Sequence, residues 1–355
     1  MPPQIAPSRN FKNPAGLLWR MLLSGKRAAY SALAHEAMRI LARPLDSLLC
    51  RREQRLLGRH EDRLIHPNSE TESDVPWPVI LVVGAPRSGT TLVYQTLARY
   101  LDVTSFSNLT SMFPKSPLTG THLMRWLPGG READFENYYG QTAGLHGPND
   151  GFQIWNRWLG ENRYIPRTDL SVSEQRDMRK FFSAWCRRFG KPFLNKNNRN
   201  TSCLSLLSEI LPNAQMVVVR RNPIYVAQSL IKARADVQGD KSVGWGLHSS
   251  DATSSDPLSY VDDVCDQILL IEKELDEQLE LISQDRIVEI TYEGFCEDPH
   301  SALQFICRSI PGVKLKQNLM ETELKPFTVS SGKSLTSAER DRLLTRLAAK
   351  RPTPV

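Results

Sequence analysis

The sequence predicts an α/β fold, a three-layer sandwich in which helices cover both faces of a central, mostly parallel sheet. Three observations predict it. Val79-Ile-Leu-Val-Val83 and Ala214-Gln-Met-Val-Val-Val219 are continuous apolar runs rich in β-branched residues. That is the pattern of strands buried on both faces. Each run is followed by a helical pattern, Leu92 to Leu101 and Ile224 to Ala235. Ile287-Val-Glu-Ile-Thr291 then gives a third strand after a long helix from Tyr260 to Ile282. Strands that alternate with helices make parallel crossovers.

The remaining elements follow in order. Residues Ala15 to Ile65 read as helical, and Pro44 is expected to divide them in two. The polar, proline-bounded stretch His66 to Pro78 reads as a linker. The chain therefore divides into a basic helical extension, residues 1–75, and an α/β domain, residues 76–355. Phe193-Leu194 is a short apolar stretch, and a Gly-, Ser- and Asp-rich loop spans Asp236 to Asp256. Asp298-Pro299 has N-cap and N1 chemistry and opens a helix to about Ile310.

Composition narrows the function classes. Of 355 residues, 40% are hydrophobic and 24% charged, as in ordinary globular proteins. No run reaches the ~20 apolar residues of a membrane span. With no secretory signal pattern either, a cytoplasmic protein is expected. Cys50, Cys186, Cys203, Cys265, Cys296 and Cys307 are scattered. Reduced thiols are expected rather than a disulfide framework or zinc knot. The first 70 residues hold twelve Arg and Lys against six Asp and Glu, which accounts for the whole net charge of +6. A solvated helical face is the expected reading. Peripheral contact with anionic lipid is the other, and no nucleic-acid partner is expected.

The sharpest motif is Gly84-Ala-Pro-Arg-Ser-Gly-Thr-Thr91, between a buried strand and a helix. Amides from Ser88 to Thr91 would point at an anion at the helix N-terminus. This is a P-loop-like turn, but Thr90 stands where nucleotide hydrolases carry the lysine that reaches the β- and γ-phosphates. Arg87 supplies charge inside the loop instead. The second strand runs into Arg220 and Arg221, where a magnesium site would want a carboxylate. No metal is expected.

Val83-Gly-Ala-Pro-Arg-Ser-Gly-Thr-Thr-Leu92 resembles the 5'-phosphosulfate loop of the sulfotransferases that use 3'-phosphoadenosine 5'-phosphosulfate (PAPS). By that resemblance Arg87, Ser88, Gly89, Thr90 and Thr91 would hold the 5' end of PAPS. In that family a strand-end Arg, with a Ser eight residues on, holds the 3'-phosphate. Arg221 and Ser229 have that spacing. Tyr292-Glu…Asp298-Pro299 resembles another family segment and would put Tyr292 near the adenine, although a core tyrosine fits the residues as well. Ser330-Ser-Gly-Lys333 corresponds loosely to a late loop over the 3'-phosphate, which makes Lys333 a donor-site candidate. The resemblance implies a sulfuryl transfer from PAPS to a hydroxyl or amine of a small-molecule or carbohydrate acceptor.

Such a transfer needs cations at the transferring group and a base for the acceptor's proton. Arg87 and Lys196 are the cation candidates. The family's Lys-x-His strand reads Lys196-Asn-Asn198 here, so the base must come from elsewhere. His146 and Asp150, in a Gly/Pro-rich loop before Trp155 and Trp158, are the candidates. That segment suits an acceptor pocket or, equally, a turn leading into a packed amphipathic helix. The loop from Asp236 to Asp256, with Trp245 and His248, is a candidate gate. Two other functions compete: a P-loop kinase or hydrolase, and an inactive scaffold bound to membrane or nucleic acid through its basic helices.

Overall fold

A computed structural model describes residues 11–65, 77–127, 135, 137–317, 324–329 and 334–349. The chain opens with α1 (Pro14–Leu23) and α2 (Arg27–Ile65). The α/β body begins with β1 (Val79–Val83), α3 (Thr90–Tyr100), β2 (Thr104–Ser105), α4 (Asn108–Ser111) and α5 (Pro117–Met124). A small hairpin follows, β3 (Asn137–Tyr138) and β4 (Gln141–Thr142), then α6 (Phe152–Leu159) and α7 (Val172–Phe189). The central part holds β5 (Phe193–Lys196), α8 (Leu204–Ile210), β6 (Ala214–Arg220), α9 (Pro223–Ala233) and α10 (Ser259–Leu279). Last come β7 (Ile287–Thr291), α11 (Tyr292–Glu297), α12 (Pro299–Ser309) and α13 (Ser337–Ala349).

Five strands form one sheet in the order β2-β5-β1-β6-β7, every pair parallel. β1 is central, and all five of its residues are buried. Alternation divides its side chains between two cores. Val79, Leu81 and Val83 join Met216 and Val218 beneath α6, α7 and α8. Ile80 and Val82 join Val217 and Val219 beneath α3, α11 and α12. This is the expected α/β sandwich. The first core is aromatic: Trp155, Trp158, Phe181, Phe182, Trp185 and Phe193 pack as tilted and edge-on pairs. Trp155 and Trp158 are fully buried. That settles one open reading, because these tryptophans build the core and do not line a pocket.

The N-terminal helices depart from expectation. Pro44 lies inside a continuous α2, and the chain breaks earlier, at residues 24–26. Three polar side chains of α2 turn inward. His35 Nε2 lies 2.7 Å from the Asn108 carbonyl and 2.9 Å from Ser111 Oγ. Asp46 Oδ1 accepts from Ser116 N and Oγ, and its Oδ2 from Lys115 N, at 3.0, 2.7 and 3.1 Å. Glu53 accepts from Leu118 N at 3.1 Å and from Thr119 N and Oγ1 at 2.8 and 2.6 Å. A short helix that begins at Pro117 has free first-turn amides. Glu53 satisfies two of them, Asp46 takes the amides of Lys115 and the N-cap Ser116 just before, and the helix dipole favours the charge. Burial pushes the Glu53 carboxyl up, and its bonds from Thr119 and Leu118 pull it back. The proposed linker, His66 to Pro78, falls mostly outside the described residues.

Candidate active site

β1 delivers the loop at the carboxyl end of the sheet, where open α/β folds bind ligands. Gly84 has φ +146°, and a Cβ there would stand 2.5 Å from the Val219 carbonyl oxygen, so the position requires glycine. The Thr201 hydroxyl accepts from Gly84 N at 3.2 Å and donates to Gly84 O at 3.1 Å, tying the loop to the segment after β5. Arg87 adopts φ +72°, an uncommon conformation for a side-chain-bearing residue. Gly89, at φ +98°, begins α3 with no side-chain cap on the first turn. Its Cα lies on the Tyr292 ring: a Cβ would be 2.1 Å from a ring carbon. Ser88 Oγ is buried and has no hydrogen-bond partner among the described residues. An uncapped helix start, an orphaned hydroxyl and a bare glycine together make a cradle for an anion.

The predicted cations converge on this cradle. Arg87 Nε donates to Ser229 Oγ at 2.9 Å, and Arg221 Nη1 donates to the Arg87 carbonyl at 2.9 Å. The Arg221 guanidinium lies 4.3 Å from the Tyr292 ring centroid. The Arg-x7-Ser spacing therefore brings both ends against Arg87, because Ser229 sits two turns along α9. Tyr292 is both core tyrosine and floor of the loop. Arg220 is spent elsewhere, paired with Glu272, Asp276 and Glu289. Burial is the first cause holding Arg87 below the ordinary arginine value, Tyr139 opposes the shift, and Arg221 adds to it. Thr90 turns inward, its methyl facing Gly84, while Thr91 Oγ1 faces outward toward Gly140. Lys333 lies outside the described residues.

Lys196 ends β5, in register with Val82 on β1, and is 6% exposed. A Cβ on Gly140 would sit 3.9 Å from both Lys196 Nζ and Thr91 Oγ1, so the β3–β4 turn closes over this pair. Burial lowers the Lys196 ammonium; Asp150 works against that shift, while Arg87 and Arg163 reinforce it. Lys196 thus senses both Arg87 and Asp150.

The two base candidates separate. Asp150 Oδ1 accepts from Phe152 N at 3.2 Å, and its charge acts on Lys196, Arg163 and Arg199. His146 is exposed, with Nε2 2.9 Å from the Leu127 carbonyl. It does not join the Arg87–Lys196 group. Asn198 Oδ1 is buried without a partner among the described residues.

Several groups at the site carry no local motif. The Tyr139 ring lies 5.1 Å from the Arg87 guanidinium and edge-on to Trp245 at 5.8 Å, and its hydroxyl donates to Asp236. Asp236 also pairs with Lys232 at 3.3 Å. The Arg163 and Arg199 guanidiniums lie 4.2 and 4.0 Å from the Phe152 ring centroid. Arg199 is lowered to about 10, chiefly by burial. Arg20 of α1 donates to the carbonyls of Asp236 and Val237 at 2.9 and 2.8 Å. Of these groups the sequence had marked Asp236 and Trp245, as part of the candidate gate, and the Tyr138-Tyr139-Gly140 turn shows only as a glycine after paired aromatics. The loop after Asp236 is braced: Gln238 donates to Gly244 O at 3.0 Å, and His248 pairs with Glu274 at 2.8 Å.

The family model of the sulfotransferase family matches residues 78–314. The chain is also similar to solved sulfotransferases at low identity. STF1 of Mycobacterium tuberculosis H37Rv is 14% identical over 94% of this chain and 90% of that one, with TM-score 0.49. STF9 of Mycobacterium avium is 15% identical over 84% and 75%, with TM-score 0.45. A sulfotransferase from Alicyclobacillus acidocaldarius is 16% identical over 77% and 92%, with TM-score 0.39. Among curated proteins none matches. With the family model spanning more than half of its length, the chain belongs to the sulfotransferase family.

Proposed function

We propose that the protein transfers a sulfuryl group from PAPS to a hydroxyl or amine of a small-molecule or carbohydrate acceptor. One observation carries the reading: Arg87, Ser229 and Arg221 meet at the uncapped start of α3, beside the orphaned Ser88 hydroxyl and the buried Lys196. The residues fit the donor. Ser88 Oγ and the first amides of α3 would take the 5'-phosphate, and Arg221 with Ser229 the 3'-phosphate. PAPS, when bound, supplies a sulfuryl group activated by its phosphosulfate anhydride.

The chain's own groups supply the rest. Lys196 and Arg87 hold positive charge where negative charge grows on the leaving oxygen, in a site shielded from water. Asp150 accepts the acceptor's proton on its carboxylate, which Phe152 N orients. The β3–β4 turn and Tyr139 cover the pair and fix the direction of approach. In this reading Asp150, rather than His146, is the base, because the Asp150 charge acts on Lys196 while His146 is exposed against the Leu127 carbonyl.

Calorimetric titration tests the donor reading. The desulfated product, 3'-phosphoadenosine 5'-phosphate (PAP), should bind without metal, and Arg221→Ala should weaken it. ATP should bind poorly with or without Mg²⁺. Tight binding of ATP with Mg²⁺ and none of PAP would return the protein to the nucleotide hydrolases.

A further inference from the structure

We propose that the outer face of α1 and α2 docks the protein on an anionic lipid surface. At 100° per residue, Ala28, His35, Asp46, Glu53 and Leu57 share an arc of about 40° on α2, and this face packs inward. Roughly opposite, Tyr30, Leu41, Leu48, Arg52 and Arg55 share an arc of about 60°. Tyr30 touches α1 through its hydroxyl on the Leu22 carbonyl, and no described residue covers Leu41 and Leu48 further along. Leu41 is 79% exposed and Leu48 75%, and from α1 Trp19 and Leu23 are 64% and 82% exposed. From Tyr30 to Leu48 the stripe runs about 27 Å. An exposed apolar strip of this length on a soluble helix marks an interaction surface.

The charge on the face selects the partner. Arg51, Arg52 and Arg55 line a groove beside Leu48, and no ion pair engages them among the described residues. Of the three acids between residues 27 and 58, Asp46 and Glu53 are buried as helix caps and Glu36 is paired with Arg39. Among residues 27–58 of α2 the face therefore presents cation without an unpaired exposed anion. The cationic area continues onto α5 and α7. Arg188 donates to His122 Nδ1 at 2.7 Å. Arg52 and Arg125 stand close enough for their charges to help lower His122, after burial and Arg188. Trp126, beside Arg125, is 73% exposed.

Leucine and tryptophan interleaved with arginine match a bilayer interface, where apolar groups enter the acyl boundary and guanidiniums meet phosphate. A second copy fits poorly. Two such faces in contact would bring arginines together with no carboxylate to pair them, and like charges resist that contact. No helix among the described residues is long and apolar enough to cross a membrane, so the contact is peripheral.

Sedimentation of the full chain with vesicles tests this. Phosphatidylcholine vesicles should bind weakly. Vesicles of equal parts phosphatidylcholine and phosphatidylglycerol should bind at least tenfold more tightly, with binding falling as salt rises. The triple variant Arg51→Gln, Arg52→Gln, Arg55→Gln should lose about tenfold or more on the anionic vesicles. Leu41→Ser with Leu48→Ser should weaken the same binding. Thermal melting should be unchanged in both variants, since these side chains are exposed. The proposal fails if neither vesicle binds, if both bind equally, or if the arginine variant binds like wild type. Light scattering that shows a dimer dispersed by the leucine pair, without vesicle binding, would give the face to a second copy instead.

Discussion

Gly84 to Thr91 forms one face of the site as a single turn, and β5 and β6 bring Lys196 and Arg221 to it along neighbouring strands. Beside it stand Tyr139, Asp150, Arg163, Asp236 and Trp245, which come from a hairpin, from loops and from the helical turn after α9. The first face is built on strand ends whose register is fixed by backbone bonds. The second is held by side chains that grip one another, as Tyr139 does with Asp236 and Arg20 with the carbonyls of Asp236 and Val237. In the proposed reading the strand ends would hold the donor common to the reaction class, and the loops would be free to vary with the acceptor.

The contrast can be broken most directly at Lys196. Lys196→Ala is expected to lower turnover by about 10²–10³-fold, the scale of removing one charge-stabilising donor, with PAP affinity little changed. A large loss of PAP affinity instead would make Lys196 a ground-state binding group. Next, Arg221→Ala should weaken PAP by about 10–100-fold in calorimetry, as expected for a charge-assisted contact. An equal loss in acceptor KM would mean that the two faces are coupled.

The scaffold behind the site gives a third, smaller effect. Asp46→Ala removes the buried cap from Ser116 and Lys115 and should destabilise the protein by about 1–3 kcal/mol in denaturant titration. Little change would show that water replaces the carboxylate. Tyr139→Phe sharpens the comparison from the other side. It keeps the ring on Arg87 but loses the bond to Asp236, so KM for the acceptor should rise severalfold while PAP binding stays within about twofold.

The mildest probe is pH. Burial holds the Lys196 ammonium below the ordinary lysine value of 10.5. Its proton is lost as pH rises through that lowered value, so turnover should fall on the alkaline side with an apparent pKa below 10.5. Lys196→Arg should move this limb upward. For stability the sign is opposite. The folded lysine binds its proton less tightly than the unfolded one, so burying the charge is a penalty below the lowered value. That penalty fades as pH climbs toward 10.5.

How much of this the sequence disclosed follows the same division. β1 and β6 were legible because strands buried on both faces read as apolar runs, and β7, at the sheet edge, because its apolar and polar residues alternate. β2 was not, because two half-buried residues, Thr104 and Ser105, leave no period to detect. Pro44 read as a break, yet α2 runs through it. Trp155 and Trp158 suggested a pocket as readily as a core, since periodicity shows which side chains share a face but not what that face meets.

By itself the sequence determined the α/β class, the strand-turn-helix at Arg87 and the spacing that sets Arg221 and Ser229 two helical turns apart. Each is written in residues close along the chain, where strand period, glycine freedom and helical spacing act locally. Only the tertiary structure decided that the Asp150 charge acts on Lys196 while His146 lies exposed against the Leu127 carbonyl. It alone placed Tyr139 over Arg87, and it turned Asp46 and Glu53 of a basic helix into buried caps for α5. Those contacts join residues far apart in the chain, and their geometry depends on how whole elements pack, which no local pattern records.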